Sequence, residues 1–291
     1  MEYSRPAKID LHIHTTASDG TLSPADVVAR AVKLGLKAIA ITDHDTVAGS
    51  NAALQAGIPA ALEFLTGVEI SAAPPSFYPG PGSFHLLGYA VDLENPILNQ
   101  TLEKLQQARK NRNPEILNRL EKLGFFLTQD EIHRQVGTGQ LGRPHIAQLL
   151  VKKQVVSSID EAFEKLLGNG KPAYVDKYRV PCDRTIETIH KAGGIAVLAH
   201  PGLLSVKDSE MEPLFEKLKK MGLQGVEVYY PEHTTDQTRL FAELAQRHGL
   251  LLTGGSDFHG TIQPEIEMGS GKGDLSVPYE LYEKLIRLIF Q

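Results

Sequence analysis

Asp10-Leu11-His12-Ile13-His14 is the first apolar run of the chain, and it carries two histidines two residues apart. In an extended strand, residues at that spacing project from one face. The run therefore sets two imidazoles side by side, with the carboxylate of Asp19 shortly after it. Gly254-Gly255-Ser256-Asp257-Phe258-His259-Gly260 repeats the idea near the other end. Imidazoles and carboxylates gathered at strand ends are metal ligands by type. The matching chemistry is metal-assisted hydrolysis.

Between these two stretches, apolar strand-like runs alternate with helical patterns, the mark of parallel βα units. Strands are expected at Asp10–His14, Ala38–Thr42, Phe64–Glu69, Phe84–Tyr89, Ile195–His200, Val226–Tyr230 and Leu251–Gly254. Seven such runs point to an α/β barrel of parallel strands rather than an open sheet. Ser23-Pro24 supplies an N-cap with proline at the first helical position, and that helix should stop near Gly35. From 95 to 172 the rhythm breaks, and only helices are expected. Asn113-Pro114 reads as the start of one and Gly124 as its end. Thr128 with Glu131 and Ser158 with Glu161 have capping-box spacing, and Gly168 and Gly170 close the segment. The expected organisation is a barrel formed by 1–94 and 173–291, with a small all-helical insertion, 95–172, over its mouth. The loop Pro74–Gly82 is too rich in proline and glycine for regular structure and should pack on the rim.

Composition narrows the class further. The 291 residues carry a net charge of −5, which argues against broad nucleic-acid or anionic-membrane binding. The charge is uneven, since residues 95–172 hold 12 Lys and Arg against 8 Asp and Glu. One cysteine, Cys182, excludes a disulfide framework. Met1–Pro6 has no apolar signal-peptide core, and no apolar run suits a bilayer span. A cytoplasmic protein without a membrane is expected, and nothing in the sequence indicates a protein partner.

In a parallel barrel the strand ends share one face, where barrel active sites are built. His12, His14, Asp19, His44, Glu69, His85, His200, Asp257 and His259 all fall at such places. Taken singly, each has an ordinary structural explanation. Together, at one end of one fold, they would be costly without cations. They are too many for one ion, so two to three divalent ions are expected. The three carboxylates Asp19, Glu69 and Asp257 neutralise only half the charge of three such ions, and the surplus suits a phosphate ester. Mixed imidazole and carboxylate ligation fits Mn, Fe or Zn, with Mn as first choice.

Five motifs in order are Asp10-Leu11-His12-Ile13-His14, Thr42-Asp43-His44-Asp45, Gly67-Val68-Glu69, Ala199-His200-Pro201 and Gly255-Ser256-Asp257-Phe258-His259. This pattern resembles the PHP (polymerase and histidinol phosphatase) family. The resemblance implies a distorted seven-stranded barrel with a trinuclear metal site. It implies that His12, His14, Glu69 and Asp257 hold one ion, and Asp19, His44 and His259 a second. Glu69, His85 and His200 would hold a third, with Glu69 bridging. Gly142-Arg143-Pro144-His145-Ile146-Ala147 and Arg109-Lys110-Asn111-Arg112 resemble the subgroup that hydrolyses the 3′-phosphate of 3′,5′-nucleoside bisphosphates, some members of which trim short 5′-phosphorylated RNA.

The expected enzyme is a metal-dependent phosphoesterase in which a metal-bridging hydroxide attacks phosphorus in line, with Asp257, His259 and Glu69 central to catalysis. The substrate would be a small anionic phosphate, a nucleotide, or a short RNA end. Arg143 and His145, at the start of a helix in the basic segment, suit a clamp for a second phosphate, and His233 is a third candidate for substrate contact. Arg109 and Arg112 read as a solvated helix face. His190 and His248 precede glycines at helix ends and read as structural, His133 as solvated, and Cys182 as unreactive. The alternatives are a phosphatase of another small monoester such as histidinol phosphate, and a non-catalytic metal-binding module.

Overall fold

The computed structural model describes residues 8–78, 84–136, 141–204 and 206–290. The chain begins with β1 (Lys8–Ile13), α1 (Pro24–Lys33), β2 (Ala38–Ile41), α2 (Ala48–Ala56), β3 (Glu63–Ala73) and β4 (Phe84–Tyr89). Four helices follow: α3 (Pro96–Lys122), α4 (Gln129–Val136), α5 (Arg143–Lys152) and α6 (Ile159–Ala162), the last running into a π turn, Phe163–Leu167. The βα rhythm then resumes with β5 (Val180–Pro181), α7 (Cys182–Lys191), β6 (Ile195–Leu198), α8 (Asp208–Lys220), β7 (Gly225–Tyr229), α9 (Thr235–Arg247) and β8 (Leu251–Gly254). The chain closes with β9 (Val277–Pro278) and α10 (Tyr279–Ile289).

The strands lie in the order β8-β7-β6-β4-β3-β2-β1-β9, with β5 beside β3. The end of β8 returns to β1, where the His14 N–H donates to the Phe258 carbonyl at 3.0 Å. At this closure a Cβ on Gly255 would lie 2.3 Å from the His12 nitrogen, so only glycine lets the two backbones approach. The result is a nearly closed α/β barrel.

All seven expected strands are present. Their expected parallel direction fails at β4, which runs antiparallel to both β3 and β6. The ten residues between β3 and β4 include no helix among those described. Parallel neighbours need a longer crossover, usually helical. Residues 79–82 of that loop lie outside the described residues.

Leu11, Ala40, Leu65, Leu87 and Val197 come from five strands yet form one buried cluster, which requires that they face the barrel axis. Leu281, Tyr282 and Leu285 of α10 join that cluster and cover one end. A separate apolar cluster links Ile116 and Leu120 of α3 with Ile146 and Leu150 of α5 and Leu167 of the π turn.

The expected helix start at Asn113-Pro114 is overturned. A single helix begins at Asn95-Pro96, where the Asn95 side chain accepts from the Ile97 and Leu98 N–H groups. Pro114 costs one internal hydrogen bond, but burial of Ile116 and Leu120 just beyond carries the helix through. Asn113 caps nothing and instead donates to the Leu141 carbonyl at 2.7 Å. The capping pair Thr128–Glu131 is formed in both directions. Ser158 caps α6 through the Glu161 N–H, while the Glu161 carboxylate turns to Ser157.

Candidate active site

Nine side chains of metal-ligand type converge at one end of the barrel. β1 carries His12 and leads directly into His14, and their Nε2 atoms lie 3.2 Å apart. Asp257, on the turn after β8, brings Oδ1 to 3.3 Å from His12 Nε2 and 3.0 Å from His14 Nε2. Glu69 of β3 brings Oε2 to 3.4 and 3.3 Å from the same two nitrogens. Donors about 2.0–2.1 Å from a tetrahedral ion would be about 3.3–3.4 Å from one another. Five of the donor pairs in this group therefore already have the spacing of a coordination shell.

Two further groups share members with the first. Asp19, His14, His44 and His259 bring ligand atoms within 4.8 Å of one another, and so do His44, Glu69 and His85. The Glu69 carboxylate sits at the centre. Its Oε2 lies 2.8 Å from His44 Nδ1, and its Oε1 lies 2.8 Å from His85 Nδ1 and 2.9 Å from His200 Nε2. Two of the ligand sets implied by the family resemblance are thus brought together, the second with His14 added. In the third, His44 stands with Glu69 and His85, while His200 reaches the same carboxylate separately.

The residues fit a cation on two further grounds. Asp19 Oδ1, His44 Nδ1, Glu69 Oε2, His200 Nδ1 and Asp257 Oδ1 are buried and make no properly directed hydrogen bond, even where another atom of the cluster lies close, a costly state that a metal ion would relieve. The protonation equilibria are also displaced. Burial opposes charge on His12, but the carboxylates of Glu227, Asp257 and Glu69 outweigh it and hold the ring well above its ordinary value. Burial is likewise outweighed at His14, which rises to about 10 through Asp257 and Glu69. Asp19, Glu69 and Asp257 are held well below the usual carboxylate range against burial, by the surrounding imidazoles. Without a cation the cluster is balanced by protons, and metal binding replaces such protons.

A second row of polar groups fixes the first. Glu227 of β7 is fully buried and accepts from His12 Nδ1 at 2.9 Å and from the His200 N–H at 2.8 Å. Asp43 accepts from the Thr15 N–H and from the Thr15 and Ser18 hydroxyls. Asp10 accepts from the Ser256 and Gly269 N–H groups, tying β1 to the segment after β8. Tyr230 donates to Asp257 Oδ2 at 3.1 Å. None of these was expected from the sequence as a site residue. Asp10, Asp43 and Ser256 stand inside the motifs quoted above, and Glu227 was signalled as a lone carboxylate inside an apolar strand, Val226-Glu227-Val228. Among the described residues, three of the five non-glycine residues with positive φ, Asp45, His200 and Asp257, adjoin or belong to this cluster, as strained backbone often does at functional sites.

Beside the cluster lies a cavity of about 180 Å³ lined by Arg109, Arg112, Arg143, Lys177 and Arg179, together with Asp19, His44 and His85. The expected solvated face of Arg109 and Arg112 is overturned, since both are buried. Arg109 and Lys177 meet Asp45 Oδ2 at 2.7 and 3.0 Å. Arg112 has no carboxylate within ion-pair distance among the described residues, and its side chain donates only to Asn113 Oδ1. Burial and the neighbouring guanidinium groups lower it to about 9. A buried guanidinium without a counterion is unfavourable unless a ligand supplies the anion.

Arg143 reaches this cavity, held by the Leu167 carbonyl and by the rings of Phe163 and Tyr174. His145 does not line it. Its Nδ1 accepts from the Gly142 N–H at 3.1 Å and closes the start of α5, while burial keeps the ring neutral by lowering its pKa. His233 is not among the residues lining the cavity over the cluster. Its Nδ1 donates to the Val228 carbonyl and its Nε2 accepts from the Gly202 N–H, so both nitrogens are occupied. His190 pairs with Gln224, and His248 lies 3.4 Å from Glu212. The His133 side chain lies outside the described residues. Burial pushes the Cys182 thiol up to about 12, far from a reactive thiolate. No described helix is long and apolar enough to cross a membrane.

Comparison with known proteins gives one picture. The family model described as the PHP domain matches residues 10–168. A 5′-3′ exoribonuclease of Haemophilus influenzae is 37% identical over 87% of this chain and 90% of its own. A 3′,5′-nucleoside bisphosphate phosphatase of Chromobacterium violaceum is 34% identical over 87% of each. Among solved structures, a protein of Bifidobacterium adolescentis assigned as a metal-dependent phosphoesterase superposes with a TM-score of 0.84, at 30% identity and 97% coverage of both chains.

Proposed function

The chain belongs to the PHP domain family, and on that premise we propose that it is a divalent-metal-dependent phosphoesterase removing the 3′-phosphate of 3′,5′-nucleoside bisphosphates. Short 5′-phosphorylated oligoribonucleotides would be attacked at the same bond. The observation that carries this reading is the cation-lined cavity directly beside the histidine–carboxylate cluster, which shares Asp19, His44 and His85 with a central cavity lined also by Glu69, His200, Asp257 and His259. A nucleoside bisphosphate has two phosphates, and two adjoining anion sites of different chemistry match it. The names of the two curated relatives support the same substrate class.

In this reading His12, His14, Glu69 and Asp257 hold one ion, and Asp19, His44 and His259 hold a second with His14 alongside. Glu69, His85 and His200 hold a third. Mn²⁺ is the proposed metal, as imidazole and carboxylate donors accommodate it. Bound divalent ions supply Lewis-acid polarisation of phosphoryl oxygens and lower the pKa of water. Glu69, Asp257 and His259 stand at the centre, where the scissile phosphate is held. Tyr230 keeps the Asp257 carboxylate oriented, and Glu227 fixes the His12 ring so that Nε2 points inward. Arg112, Arg143 and Arg179 take the 5′-phosphate, with Arg109 and Lys177 beside them, and residues 95–172 act as the cover that carries the three arginines Arg109, Arg112 and Arg143. Hydrolysis breaks the bond between phosphorus and the 3′-oxygen. The oxygen of water ends on phosphate and a proton on the nucleoside.

Phosphate release from 3′,5′-adenosine bisphosphate, 3′-AMP and 5′-AMP, with Mn²⁺ and then with EDTA, tests this reading. A strong preference for the bisphosphate, abolished by EDTA, is the expected result. Equal rates on all three would remove the second-phosphate site, and undiminished release in EDTA would remove the metals.

A further inference from the structure

A third cavity, of about 470 Å³, opens between α4–α6 and the segment 261–265 that follows His259. Ile159, Asp160, Ile262 and Gln263 line both this cavity and the central one over the histidine–carboxylate cluster. The two spaces therefore adjoin each other across these four residues. The cationic cavity shares Asp19, His44, His85, Pro144 and Phe163 with the central one, and shares none of its lining residues with the third. The central cavity thus adjoins both of the others, which do not adjoin each other through any shared residue.

Their linings differ in kind. The third cavity carries Lys152 against Asp160 and Glu265, so it offers no net attraction to phosphate. Instead it presents the primary amides of Gln135, Gln148 and Gln263 beside apolar surface from Val151, Ile262 and Pro264. Each amide offers donors and an acceptor together, which is what a base edge requires. Flat apolar walls suit the faces of a base. The Gln135 and Gln148 amides already bond to each other across α4 and α5. The opposite wall is tied to the barrel, because the Thr261 N–H donates to Thr21 Oγ1 at 2.9 Å. Its volume is within the range of small-molecule sites.

We infer that this cavity seats the nucleoside on the 3′ side of the scissile phosphate of a 5′-phosphorylated oligoribonucleotide. The inference rests on the proposed function. With the 5′-phosphate in the cationic cavity and the scissile phosphate at the cluster, the third cavity is the other space adjoining the cluster that can take the rest of the strand. The bond broken is again that between phosphorus and the 3′-oxygen. The water oxygen joins phosphorus, the 3′-oxygen takes a proton, and the first nucleoside departs as its 5′-monophosphate. The phosphate stays on the downstream fragment, which is then itself 5′-phosphorylated and a substrate for the next round.

The test compares the 5′-phosphorylated dinucleotide pApA with 3′,5′-adenosine bisphosphate, in wild type and in two variants, Gln148→Ala and Gln148→Trp. Gln148 lines the third cavity and neither of the others. Loss of one neutral hydrogen bond in Gln148→Ala should lower kcat/KM for pApA about three- to tenfold. The indole of Gln148→Trp should lower it by more than about tenfold through steric exclusion. Both variants should leave the bisphosphate within about twofold. Calorimetric titration of the metal-free protein with each nucleotide gives a readout that does not depend on turnover, and the same selective loss of pApA affinity is expected there. Equal losses on both nucleotides would mean that the cavity holds the base of the bisphosphate itself, and would overturn the inference. So would unchanged binding and turnover of pApA, or a wild type that hydrolyses the bisphosphate but not pApA. A wild type inactive on both would instead sink the proposed function, and titration would then decide on the cavity alone. Thermal unfolding of each variant separates these outcomes from misfolding.

Discussion

Replacing Asp45 with asparagine should destabilise the protein far more than a surface substitution would. Asp45 follows His44, is fully buried, and adopts a positive φ of 54°. Its Oδ2 is the shared counterion of Arg109 at 2.7 Å and Lys177 at 3.0 Å, whose side chains are only 9% and 7% exposed. Burial alone would raise its pKa, but those two cations hold the carboxyl far below the usual range. Asparagine keeps an acceptor for the Ser71 N–H, which donates to Oδ1 at 2.8 Å. The change therefore removes the charge and replaces the Oδ2 acceptor by an amide donor facing Arg109, Lys177 and the Ser71 hydroxyl. Breaking a buried ion pair from one side costs about 3–5 kcal/mol, because the remaining charge is left uncompensated. For a chain of this size that corresponds to a fall of roughly 6–20 °C in the unfolding midpoint. Calorimetric melting of wild type, Asp45→Asn, Lys177→Met and the double variant measures it. The double variant should recover part of the loss, since one stranded cation is gone. A loss below about 1 kcal/mol, with the two substitutions additive, is what an exposed pair would give, and it would refute the buried counterion argument.

Two further predictions concern the cationic cavity. Arg112→Ala should raise KM for 3′,5′-adenosine bisphosphate by about 10- to 150-fold, the worth of a charged hydrogen bond. It should leave 3′-AMP hydrolysis unaltered, and equal losses on both substrates would place Arg112 outside the second-phosphate site. Lys177 gives a pH signature. Burial lowers its pKa to about 8 from 10.5, so its charge, and its help in capturing the second phosphate, fade as pH rises through 8. KM for the bisphosphate should climb there relative to 3′-AMP, and Lys177→Arg should flatten the climb; the same profile in both enzymes would exclude Lys177. The stability effect has the opposite sign. Between pH 8 and 10.5 the unfolded chain binds more protons at this residue, so the contribution of Lys177 to stability rises with pH.

Much of the site was legible because its signals are local. The two-residue spacing of His12 and His14 needs only an extended backbone to bring their Nε2 atoms together, and both strands carrying the end motifs lie where their apolar runs suggested. What was not legible depends on partners distant in sequence. Arg109 and Arg112 sit on a helix whose other residues are mostly polar, and such a helix reads as solvated. The burial of Arg109 goes with its ion pair to Asp45, 64 residues earlier. The second row escaped notice for the same reason. Glu227 becomes a partner of His12 only through a contact 215 residues apart in sequence. The Asn113-Pro114 signal was real as chemistry, but buried Ile116 and Leu120 outweighed it.

His85 shows how strand direction, and not only strand order, builds the site. It is the second residue of β4. In a parallel strand, as the sequence suggested, the second residue would lie at the end of the barrel away from the other ligand-type residues. At about 3.3 Å per residue, four positions would separate it from the C-terminal end of β4 by about 13 Å. Because β4 runs antiparallel, its beginning lies where neighbouring strands end. His85 pairs with Ser71 of β3, and its carbonyl accepts from the Ala199 N–H just before His200. The Glu69 carboxylate thus receives His85 and His200 on Oε1, one from the start of an antiparallel strand and one from the end of a parallel strand. Its Oε2 faces His12, His14 and His44, which follow the parallel part of the barrel. The meeting of imidazoles at both oxygens of Glu69 therefore requires the reversal at β4. A barrel of wholly parallel strands built from the same residues would keep two of the three groups and lose the third.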